Sequence, residues 1–97
     1  MTTIGLTLHA KDRLNNRLRS IISVNEVATA VTTVDFALGE TWVKVKSLPK
    51  SIVLGKAHGD TVYIVVKKRK YDCNVVTILL RESHQRINGD FLVDRSE

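Results

Sequence analysis

The sequence predicts an α+β domain in which two N-terminal helices pack on one face of a four-stranded antiparallel sheet. Three observations carry this reading. Apolar residues recur at helical spacing from Leu8 to Val31. After Gly39 the period drops to two, the spacing of a strand with one buried face. Four β-rich runs then follow one another across short connections, which favours a meander. Two helices cannot cover both sides of four strands, so they are expected together on one side.

The first helix is read from "LTLHAKDRLNNRLRS". Ala10, Leu14 and Leu18 fall at i, i+4 and i+8, one stripe of a helix from Leu8 to about Leu18, and Thr7 stands where an N-cap hydroxyl accepts an orphan amide. "SVNE", Ser23 to Glu26, has the form of a capping box. Val24, Val27, Ala28 and Val31 follow at i, i+3, i+4 and i+7, giving a second helix of about ten residues.

"ETWVKVKS" alternates, with Thr41, Val43 and Val45 on one side and Trp42, Lys44 and Lys46 on the other. Pro49 separates it from a second run, "SIVLGKA", and "HGD" at 58–60 signals a turn into "TVYIVVKK", Thr61 to Lys68. "RKYD" connects that run to "CNVVTILLR", Cys73 to Arg81. The last two runs are almost continuously apolar and β-branched, as central strands are. The expected domain is 1–82. Residues 83–97 form an extension, whose Asn88–Gly89 is suited to a late hairpin if the end is not frayed.

A chain of 97 residues builds one modest core. It has no apolar run long enough to span a membrane, and its start lacks the pattern of a secretory signal. One cysteine, Cys73, makes no internal disulfide and has no His/Cys cluster around it for a metal, so a reducing cytoplasmic setting and no cofactor are expected. Fifteen Lys and Arg against ten Asp and Glu give a formal charge of +5. That balance suits nucleic acid or an acidic protein. No P-loop or dinucleotide fingerprint occurs.

Four side chains bear on chemistry. His9, Arg13 and Arg17, four residues apart, form a column beside the apolar stripe. Two guanidiniums so placed repel each other, and an anion between them relieves this. Arginine forks fit phosphate oxygens, and histidine exchanges protons near neutral pH. These are parts for cleaving RNA without a metal; the alternative is a solvated basic face. Thr77 interrupts an apolar strand, either to bond nearby backbone or to face the His9 column and orient a phosphate. "KKRK" (Lys67, Lys68, Arg69 and Lys70) is the densest positive run, and with Lys44, Lys46 and Arg81 it makes a candidate basic rim for phosphates. Trp42 is placed to stack a base or to pack, His58 belongs to a turn, and His84 is a second acid or base only if the tail folds back.

"LTLHAKDRLNNRLRSIISVNEVATAV", followed by a strand-rich half ending "VVTILLR", resembles small bacterial and phage domains with a His-Ala-x-x-Arg-x-x-x-Arg helix. These are similar to the RelE/BrnT-like toxins of the barnase–EndoU–colicin–RelE group of metal-independent ribonucleases. The resemblance covers about residues 6–82 and falls on His9, Ala10, Arg13, Arg17, Ile22, Ser23, Glu26, Val27 and Thr77. An extra "RSI" follows Arg17, and the stretch from Val34 to Val62 carries no diagnostic match. The resemblance implies a RelE-like fold and a small RNA-binding protein or toxin-type endoribonuclease, with RNA and an antitoxin as partners. In that role His9 moves a proton, Arg13 and Arg17 hold the phosphate and Thr77 assists. The other expectation is a non-catalytic phage or mobile-element protein that binds and modulates a host protein.

Overall fold

The computed structural model describes residues 4–19, 21–32, 34–48, 59–81 and 89–95, with Arg17 as backbone only. Among these, β1 (Ile4–Leu6) leads through Thr7 into α1 (Leu8–Asp12), and a wider turn of helix, Arg13–Arg17, continues it. Then come α2 (Val24–Thr32), β2 (Gly39–Ser47), β3 (Thr61–Lys68), β4 (Cys73–Arg81) and β5 (Phe91–Asp94). The five strands make one mixed sheet in the order β1-β4-β3-β2-β5.

This overturns the expected fold class. The sheet is five-stranded and mixed, not four-stranded and antiparallel under two N-terminal helices, and the helical segments are short. Only the pairings β2–β3 and β3–β4 are antiparallel. Both edge strands are parallel to their neighbours, β1 to β4 with Ile4 opposite Cys73, and β5 to β2 with Phe91 opposite Thr41. Short loops join only neighbours in sequence, and these edge partners are remote from one another along the chain. β2 is hydrogen-bonded directly to β3, so no strand lies between them; the "SIVLGKA" run lies outside the described residues, as do His58 and His84.

Local signals place the helices. The Thr7 hydroxyl accepts the Ala10 N–H at 3.2 Å and donates to the Val76 carbonyl at 3.1 Å, so the α1 cap is also a tie to β4. Ser23 and Glu26 exchange reciprocal bonds, Glu26 N–H to Ser23 Oγ at 3.1 Å and Ser23 N–H to Glu26 Oε1 at 3.3 Å. The first helix widens after α1. Leu18 N–H reaches back five residues to the Arg13 carbonyl at 2.9 Å, a π-type turn.

Ala10, Leu14 and Leu18 join Val27 and Val31 of α2 against Val43, Val62, Ile64, Val66, Val75 and Ile78 of the sheet, forming the main core. The other sheet face holds a second, smaller cluster of Trp42, Tyr63 and Val65, flanked by Val76 and Leu79. At the start of β2, Gly39 takes φ +117°, a conformation only glycine adopts readily, and a Cβ there would stand 2.7 Å from Asp90 Oδ2. That carboxylate accepts the Glu40 N–H at 3.0 Å, while Asp90 N–H donates to the Glu40 carbonyl at 2.9 Å. The pair docks β5 in its parallel register.

Candidate functional site

His9 lies on the exposed side of α1, and Arg13, one turn later, is half-buried at the start of the wider turn. No hydrogen bond or ion pair engages either side chain among the described residues. Arg17 is the last residue of the wider turn. Around them Lys11 and Arg19 are exposed, while Asp12 is bonded to Asn16 through a 2.6 Å contact from the amide. This edge of the molecule is basic and open.

Thr77 lies elsewhere. β4 carries a bulge: Val66 is opposite Val75 and Val65 is opposite Thr77, so Val76 is the extra residue. Cross-strand partners share a face, and Val65 belongs to the second cluster. Thr77 therefore sits on the sheet face away from α1, and its hydroxyl does not join His9 and Arg13. Its Oγ1 is buried and makes no hydrogen bond among the described residues. Leaving a buried hydroxyl unsatisfied costs about 1–3 kcal/mol. Replacing it with the nearly isosteric valine, Thr77→Val, is expected to raise the unfolding free energy by about 1 kcal/mol. Urea denaturation measures this, and a loss of stability would show the hydroxyl is bonded in solution.

The basic rim also divides. β2 carries a bulge between Lys44 and Lys46, which brings Lys46 opposite Val62 on the helix-covered face. Strict alternation places Lys46 beside Trp42 and Lys44; the extra residue turns it over. Lys46 Nζ instead pairs with Glu26 Oε2 at 2.9 Å. That ammonium, with the Ser23 amide, holds the Glu26 carboxyl below its usual range. Lys44, opposite Tyr63, and Arg81, opposite Thr61, belong to the other face. The Arg81 guanidinium lies 5.8 Å from the centroid of the Trp42 ring, and the ring is 4% exposed. Trp42 is therefore a packing residue and presents no free face to a base.

What remains together is the β3–β4 hairpin end. Lys67, Arg69 and Lys70 are exposed and Lys68 is half-buried, while Arg69 N–H closes the turn onto the Asp72 carbonyl at 2.8 Å. Tyr71, which the spacing argument passes over as part of a connection, is 86% exposed at the tip. Lys70 Nζ lies over its ring, 5.3 Å from the centroid. The signal that would have found it is an aromatic set directly after four consecutive cations.

Other chemistry has less support. Cys73 is buried, and burial pushes its thiol up, which keeps it protonated and unreactive. No cluster of metal-binding side chains occurs among the described residues, and none of their helices is long and apolar enough to cross a membrane. A shallow groove of about 560 Å³ between α2 and the β2–β5 edge is lined by residues including Glu26, Thr29, Val45 and Arg95, and His9, Arg13 and Thr77 are not among them. No protein-family model, curated protein or solved structure matches the chain.

Proposed function

We propose that this protein binds RNA, gripping the phosphodiester backbone with the β3–β4 hairpin. One observation carries the reading: four consecutive cations, Lys67 to Lys70, run from the end of β3 into a tight turn, against two nearby carboxylates, Asp72 in the turn and Glu40 opposite Lys67. Cations at phosphate contacts release condensed counterions, which is the main source of sequence-independent affinity. A short antiparallel ribbon holds those charges in a fixed array, so little order is lost on binding. The net charge of +5 attracts a polyanion over longer range. The N-terminal motif's resemblance to metal-independent ribonucleases supports RNA over DNA.

The reading is binding without cleavage. Metal-free scission requires a base, an acid and phosphate-holding cations around one phosphodiester. Here Thr77 and His9 belong to opposite sides of the sheet, and His9 is exposed with no partner among the described residues to orient it.

The triple substitution Lys68→Ala, Arg69→Ala and Lys70→Ala tests the grip. Anisotropy of a short labelled RNA should show an affinity loss of about 10–100-fold at low salt, and the slope of log K against log salt should fall by about 2. The thermal midpoint should be unchanged, because these side chains lie outside the core. Equal affinity in the triple variant would remove the hairpin from the interface. Incubation of RNA with the wild type should leave it intact, and cleavage that disappears in His9→Ala would replace this reading with the enzymatic one.

A further inference from the structure

We infer that the hairpin takes unpaired rather than duplex RNA, with the Tyr71 ring stacking on one base. This rests on the hairpin being the RNA grip and adds the form of RNA that it takes. Large aromatic side chains ordinarily bury most of their surface, yet Tyr71 is 86% exposed at the end of a ribbon whose other tip residues are charged. The Lys70 ammonium lies over its ring, 5.3 Å from the centroid. A cation on one side of the ring leaves the opposite side for a flat π-system, and the same ammonium then lies within reach of the phosphates flanking the stacked base.

In a duplex the base faces are covered by their neighbours, so a phenol at the tip gains nothing there. The A-form major groove is moreover too deep and narrow for side chains to read. An unpaired strand offers both things the tip is built for, a base face for Tyr71 and a backbone for Lys68, Arg69 and Lys70. Stacking of this kind tolerates any base, because every base has a π-face.

Anisotropy on an unstructured CA-repeat RNA, and on the same RNA annealed to its complement, tests the inference with wild type, Tyr71→Ala and Tyr71→Phe. Wild type should prefer the single strand. Tyr71→Ala should lose about tenfold on the single strand and nothing on the duplex, with the salt slope unchanged, while Tyr71→Phe stays within about twofold. An unchanged single-strand affinity in Tyr71→Ala, or a wild type that prefers the duplex, overturns the stacking role. In that case the triple cation variant shows whether the grip itself survives: if it still loses affinity, the hairpin binds RNA by charge alone. Wild type that binds neither RNA overturns both readings.

Discussion

Replacing Trp42 with alanine is expected to lower the unfolding free energy by about 3–5 kcal/mol, the range for deleting a buried large aromatic. Trp42 is the centre of the second cluster. Its ring meets Tyr63 at 5.6 Å between centroids in a tilted arrangement, carries the Arg81 guanidinium, and donates its indole N–H to Glu40 Oε1 at 2.9 Å. It also seats the chain entering β5. A Cβ on Gly89 would stand 2.3 Å from the ring's Cδ1, so glycine is what allows the backbone this close. Losing the ring removes these contacts together and leaves the Glu40 carboxylate without its donor. Trp42→Phe keeps a ring in the cluster and should cost about 1 kcal/mol, roughly that of one hydrogen bond. Urea titrations followed by circular dichroism compare the two, since the only tryptophan is the residue being changed. A loss below about 1 kcal/mol in Trp42→Ala would mean the second cluster contributes little to folding.

Ile78→Ala is the corresponding change in the main core, with an expected cost of about 2–5 kcal/mol. Ile78 is fully buried at the middle of β4 and lies opposite Ile64 of β3, also fully buried, beneath the helices. A domain of this size has about 5–15 kcal/mol of stability in total, so this single truncation removes a large share of it. The two isoleucines are register partners in one packed layer. Their double variant should therefore deviate from additivity by about 0.5 kcal/mol or more. Additive losses would indicate that the two side chains pack independently.

The sequence reading succeeds where structure is set by near neighbours. Thr7 as an N-cap, the Ser23–Glu26 reciprocal pair, and the strand bounds Thr61–Lys68 and Cys73–Arg81 follow from spacings of a few residues. It fails where a distant partner decides. "IGL" and "FLVD" are too short to show a period, and each becomes a strand only because β4 or β2 offers an edge to it. Bulges are the second cause. Counting by twos from Cys73 puts Thr77 beside Val75 on the helix face, and the single extra residue Val76 reverses that. The bulge in β2 turns Lys46 over in the same way and gives it to Glu26. The candidate site was legible as composition, a histidine with arginines and a run of cations. The sheet faces that hold or separate these groups were not.

The parallel edges have a consequence for how the chain assembles. β2 gains its outer neighbour from a segment about fifty residues further on, and β4 gains its own from one nearly seventy residues earlier. The inner three strands close first through shorter loops, because long loops cost more entropy to close. On the ribosome, β2 must then wait with a bare flank until β5 emerges. Lys44, the partner of Asp94 in that pairing, lies along the flank, and its positive charge repels a second nascent copy that would otherwise add its own strand.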